Sequence, residues 1–134
     1  MKNDYQISHG GRDQYVEVKR KKDLVGDCAI RATALFLNLP YHQVRDDLFE
    51  IAKKRFNMPN NDAVVYEYLE QNGFNMHPTM YKNGRTKFTL GEFPVNKGRV
   101  MCRLNKHWAT IIDGVVYDTW DCRQWAVGRY LVND

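Results

Sequence analysis

Two residues, Asp113-Gly114, constrain this chain more than any other feature, because they sit between the runs HWATII and VVYDTW. An Asp-Gly pair flanked this way is the strongest short signal for a β-hairpin, since a two-residue turn of this kind needs positive φ at both positions. The turn then dictates the register. Ile112 opposes Val115, Ile111 opposes Val116, Thr110 opposes Tyr117, Ala109 opposes Asp118 and His107 opposes Trp120. Side chains alternate, so His107, Ala109 and Ile111 share a face with Val116, Asp118 and Trp120. His107 and Asp118 become diagonal neighbours, roughly 7–8 Å apart at the backbone. Asp121 falls on the opposite face. A slip of one residue would exchange the two faces.

The second constraint is GDCAIRATALF, residues 26–36. With Asp27 as N-cap, residues 28–38 read as a helix with almost no polar face, hence central and buried. Asn38-Leu39-Pro40 ends it. Residues 41–56 form an amphipathic helix with Val44, Leu48, Ile51, Ala52 and Phe56 on one side. Asn60 or Asn61 caps a third helix that carries Val64, Val65, Tyr68 and Leu69 and stops at Gly73. Gly, Pro and Asn punctuate residues 73–98. RVMCRL then precedes the hairpin and RYLV adds a strand near the C-terminus, while Gln14 to Lys21 alternates weakly as an edge strand or extended lead-in. Helices come first and an antiparallel sheet second. The expected class is α+β, one domain over residues 1–134, with the central helix packed on the C-terminal sheet.

Length and composition exclude several functions. The chain has 134 residues, enough for one core. No stretch approaches the length of a membrane span, and MKNDYQISHGGRDQ lacks the apolar middle of a signal peptide. A cytoplasmic protein with no membrane partner is the expectation, and its three cysteines would be reduced. No CxxC or His/Cys cluster supplies four zinc ligands, so neither metal nor cofactor is expected. The net charge of +4 gathers in KRKK, Lys19 to Lys22. Nucleic-acid binding needs a basic face, usually with stacking aromatics, and the sequence presents none. Oligomeric state is not legible in the sequence.

Cys28 would open the buried helix, where free amides and the helix dipole favour a thiolate. A small core cysteine is the ordinary alternative. A nucleophile would also need a base oriented by a third group, and the hairpin offers His107 and Asp118. Cys102 alternates within an apolar strand and reads as core. Cys122 lies past the hairpin and reads as incidental. His9 and His42 read as surface and His77 as loop. Arg31 is a charge inside an apolar helix, to be paired with Asp27 or with an acid on a neighbouring element. Trp108 and Trp120 flank the site and read equally as core or as pocket wall.

GDCAIRA opening a buried helix and HWATIIDGVVYDTWD as a late hairpin together resemble the papain-like cysteine peptidases. The likeness is closest to small phage and bacterial proteins with an N/D-D-C-x-x-R-A opening and an H-x-A-x-x-x-D-G-x-x-Y-D-T-W-D hairpin, and covers about Asp23 to Asp121. It implies a papain-like fold with Cys28 as nucleophile, His107 as base and Asp118 as the group that orients it. It also implies a thiol hydrolase acting on a protein or peptide substrate, in a phage setting within host cytoplasm. Such enzymes usually carry a glutamine about six residues before the cysteine as an oxyanion donor. Lys22 stands there instead, so the resemblance makes Lys22 the oxyanion candidate. An acyltransferase or transglutaminase-like enzyme would use the same triad. An inactive papain-like module that blocks a protein partner is the third reading, and the missing glutamine favours it.

Overall fold

The structure, a computed structural model, describes residues 2–14 and 27–134. The lead-in strand expected up to Lys21, the basic run and the oxyanion candidate Lys22 fall on residues 15–26, outside the described residues.

The three expected helices form. α1 is Cys28–Leu37, closed by Asn38 in the left-handed conformation at φ 55°. α2 is Tyr41–Arg55 and α3 is Asp62–Gln71. Of the two cap candidates for α3 it is Asn61 that acts, its side chain accepting from the Ala63 amide at 3.0 Å. Asp27 does not cap α1 with its side chain. Its buried carboxylate is taken by charged and phenolic partners instead, which bind it more strongly than a backbone amide does. Phe56 leaves the apolar stripe of α2. It is the residue after the helix, in the left-handed conformation, and is 97% exposed.

The strands β1 (Asp4–Ile7), β4 (Arg99–Leu104), β5 (His107–Ile112), β6 (Val115–Asp118) and β7 (Tyr130–Asn133) make one sheet in the order β1-β6-β5-β4-β7. A two-stranded ribbon, β2 (Tyr81–Lys82) with β3 (Thr86–Lys87), stands apart. The Asp113-Gly114 turn has φ of 46° and 81°, and the β5–β6 register runs Ile112↔Val115, Ile111↔Val116, Thr110↔Tyr117. The sheet is mixed, which corrects the antiparallel expectation. β1 pairs parallel to β6, with Ile7 opposite Asp118. DYQI is short and mostly exposed, as an edge strand can be, and its polar–apolar alternation over only four residues names neither its partner nor a parallel pairing.

α1 lies across β5 and β4 and runs in the direction of β5. Cys28 meets His107 and Trp108, Thr110 Oγ1 donates to the Ala32 carbonyl at 2.7 Å, and Arg99 reaches the Leu35 carbonyl at the far end. Ala29, Ala32 and Phe36 pack on Met101, Trp108 and Leu131. The small residues let helix and sheet approach closely. On its other side α1 offers Ile30 and Ala34 to Val44, Leu48, Ile51 and Val64 of α2 and α3. The second sheet face buries Val100, Cys102, Ala109, Ile111 and Val116 under Leu90, Phe93 and Val127. No helix among the described residues is long and apolar enough to cross a membrane.

The N-terminal segment returns to α1 at Gly10, whose φ is +62°, and a Cβ there would lie 2.8 Å from the Arg31 Cα. Both the conformation and the contact exclude a side chain. Gly10→Ala is expected to destabilise the fold by about 1–3 kcal/mol, read from the urea midpoint at unchanged m-value.

Candidate active site

Cys28 occupies the first position of α1, where the amides have no partner within the helix. Its thiol faces the His107 ring and the Trp108 backbone amide, both of which favour its ionised form. His107 opens β5 and is 8% exposed. Its Nε2 lies 2.6 Å from Asp118 Oδ2, so the nitrogen facing Cys28 is Nδ1. Asp118 closes β6 and is 3% exposed. The hairpin register delivers these last two side chains to one face, and the first turn of α1 brings in the third.

The charges favour an ion pair. Burial by itself pushes the Cys28 thiol up, and Asp118 repels a thiolate there. The hydrogen bonds from His107 and Trp108 and the imidazolium charge outweigh both, so the thiol ionises below its ordinary value. Burial works against a charged His107, yet the hydrogen bonds to Asp118 and Cys28 and their negative charge push it up to about 9. Burial likewise opposes ionisation of Asp118, but His107, the Thr119 amide and Arg31 together hold its carboxyl below the usual range.

Asp118 is held by more than the hairpin alone would provide. Oδ1 accepts from the Thr119 amide at 2.7 Å and from Arg31 Nη2 at 3.3 Å. Oδ2 accepts from His107 and from the Cys122 thiol at 3.3 Å. Its backbone carbonyl accepts from the Ser8 amide at 2.8 Å and the Tyr5 hydroxyl at 3.1 Å, both on or beside β1. Cys122 is therefore not incidental. It is buried, and burial followed by the Asp118 charge pushes its thiol up, so it remains a protonated donor. The only hint of this in the sequence is its position four residues after Asp118. Arg31 takes both partners open to it, Asp27 just before its own helix and Asp118 at the end of β6.

Asp121 sits apart, exposed and paired with Arg123 at 2.8 Å. Cys102 is fully buried, and burial raises its thiol. The two flanking tryptophans separate. Trp108 is core at 2% exposure, with Arg103 over its ring at 5.3 Å. Trp120 is 38% exposed and covers His107 with ring centroids 5.0 Å apart, and Trp125 meets it edge-on at 5.4 Å. His42 is exposed on α2, and His77 stacks on Tyr130 at 4.9 Å. His9 is half-buried rather than on the surface, because its segment folds back against α1.

His107, Asp118 and Cys122 offer three metal-ligating atoms within 4.8 Å of one another. Their arrangement suits hydrogen bonding better than a cation. The histidine and carboxylate are in direct contact, the thiol is held protonated, and Arg31 already places a positive charge on the carboxylate. No protein-family model, no characterised protein and no solved structure matches the chain.

Proposed function

We propose that the protein is a papain-like thiol hydrolase that cleaves a peptide or isopeptide bond through Cys28, His107 and Asp118. One observation carries this reading: a helix-opening thiol facing a histidine whose Nε2 is 2.6 Å from a buried carboxylate. A core cysteine has no need of a cation beside it, and burying one is costly. The thiolate of Cys28 attacks the substrate carbonyl carbon and forms an S–C bond. As the tetrahedral adduct collapses the C–N bond breaks, and His107 passes its Nδ1 proton to the leaving amine. Neutral His107 then takes a proton from water, whose oxygen attacks the thioester. The C–S bond then breaks with its electron pair returning to sulfur, the acid product leaves and the thiolate–imidazolium pair is restored. The Cys28 amide, free of any helical acceptor, is placed to donate to the oxyanion. Lys22, the candidate for the second donor, lies outside the described residues. Asp118 keeps the ring in the orientation and tautomer that both proton transfers need.

The test is labelling of the native protein with a substoichiometric electrophilic probe, followed by peptide mapping. Cys28 is expected to carry the label, while the buried, raised thiols of Cys102 and Cys122 stay unmodified until the protein unfolds. Label on either of the other cysteines in folded protein would remove the nucleophile from this scheme. Incubating substrate with and without an added amine, and weighing the products, separates hydrolysis from acyl transfer.

A further inference from the structure

Arg31 is a guanidinium on the most buried of the described helices, 7% exposed, and among the described residues its Nε has no hydrogen-bond partner. Taking such a group out of water costs several kcal/mol, and an apolar side chain in its place would usually be cheaper. Its neighbours Ile30, Ala32 and Ala34 show what packing alone selects. Arg31 instead spans two buried carboxylates. Nη1 binds Asp27 Oδ1 and Nη2 binds Asp118 Oδ1. Asp27 is fixed in turn by the Tyr41 hydroxyl at 2.7 Å and by Arg12 at 3.7 Å. Charge therefore alternates without a break from Arg12 through Asp27, Arg31, Asp118 and His107 to Cys28.

We propose that Arg31, anchored by Asp27, is a positioning residue that holds the Asp118 carboxylate on His107 and keeps the buried cluster electrically balanced, so that the Cys28–His107 pair stays ionised. This rests on the catalytic reading above and extends it to two residues outside the triad. The balance is direct. Among the described residues Arg12, Arg31 and His107 are the cations, and Asp27, Asp118 and the Cys28 thiolate the anions. Of the other titratable groups facing the cluster, Tyr5 from β1, Tyr41 from α2 and Cys122 after β6 are neutral, each held above its ordinary value by burial first, and Arg45 of α2, whose charge reaches Tyr41, is exposed and paired with Asp46. Asp121 is exposed and occupied by Arg123.

The sign follows from this balance. Without the Arg31 cation the cluster carries an excess negative charge. Losing a proton from the Cys28 thiol or from the His107 imidazolium then becomes harder, and both ionisations move to higher pH. Without the Asp27 anion both move to lower pH. A residue that merely filled space would change stability and leave the ionisations where they are.

The experiment is the pH profile of Cys28 alkylation by iodoacetamide in the full chain. It has an acid inflection where the thiol ionises and an alkaline one where the imidazolium loses its proton. Arg31→Met is expected to move both upward by roughly 0.5–1 pH unit, Asp27→Asn to move both downward by a similar amount, and Arg31→Lys to restore the wild-type positions. A folded Arg31→Met protein with unmoved inflections, or with inflections moved to acid, would overturn the assignment. Should Arg31→Met fail to fold, Asp27→Asn decides: an acid shift supports the network and an unchanged profile overturns it. A wild-type profile with no acid inflection below the ordinary thiol range would overturn the thiolate reading and this inference with it. A normal wild-type profile with unmoved variants overturns this inference alone.

Discussion

Replacing His107 with alanine is expected to produce the largest change of any single substitution in the reactivity of Cys28. In the wild-type protein the imidazolium and the Trp108 amide stabilise the thiolate against burial. Without the ring, burial and the Asp118 charge both act in the direction that raises the thiol. Thiolate, not thiol, reacts with electrophiles. Below its pKa an isolated thiol loses about tenfold in rate for each pH unit. Between pH 7 and pH 5 the His107→Ala protein should therefore lose roughly 100-fold in its rate of alkylation, while the wild type loses under about tenfold. Comparing rates within each protein across pH avoids the lower intrinsic nucleophilicity of a stabilised thiolate, which would blur a comparison at one pH. Equal slopes in the two proteins would mean that His107 does not hold Cys28 as an ion pair.

The second large effect belongs to Asp118, and Asp121 is its control. Asp118→Ala removes the acceptor of four donors at once: the Thr119 amide, Arg31, His107 and Cys122. Two of those donors are buried cations, and leaving such charges unpaired typically costs about 3–5 kcal/mol. The chemical cost is separate. A histidine without its orienting acid loses tautomer and direction, so turnover, or Cys28 alkylation at pH 6, should fall by roughly ten- to a thousand-fold. Asp118→Asn keeps one accepting oxygen and should cost less on both counts. Asp121→Ala removes an exposed pair with Arg123 and should leave the rate within a few-fold and the urea midpoint nearly unchanged. The opposite ranking, with Asp121→Ala silencing a well-folded protein while Asp118→Ala does not, would place the functional acid on the other face of the hairpin.

The ranking of these two acids follows from the amino-acid sequence by itself, because a two-residue turn leaves no freedom in register. Asp113 and Gly114 reach the positive φ that such a turn demands, and every pair counted outward from them as far as Thr110 and Tyr117 is present in the ladder. The strict alternation of a strand then sends Asp118 to His107 and leaves Asp121 with solvent and Arg123. The helices are legible for a similar reason. Apolar spacing, Asn61 and the stop at Asn38 act within a few residues of where they are read.

What sequence could not supply lies in contacts between elements that no local period connects. β1 is four residues of mixed polarity, and its parallel pairing with β6 joins residues more than a hundred positions apart, so nothing nearby announces it. Arg31 visibly needs an acid. That it takes two, one just before its own helix and one 87 residues away, follows only from how α1 lies across the sheet. Cys122 reads as spare because it falls beyond the last strand pair, yet the chain turns back after β6 and sets its thiol on Asp118. The hairpin and α1 thus bring Cys28, His107 and Asp118 with them from the sequence. Of the four donors to the Asp118 carboxylate, His107 comes with the hairpin and the Thr119 amide is its neighbour, while Arg31 and Cys122, and the buried charge balance around them, arrive only once α1 and the segment after β6 have packed, because no local period connects them to β6.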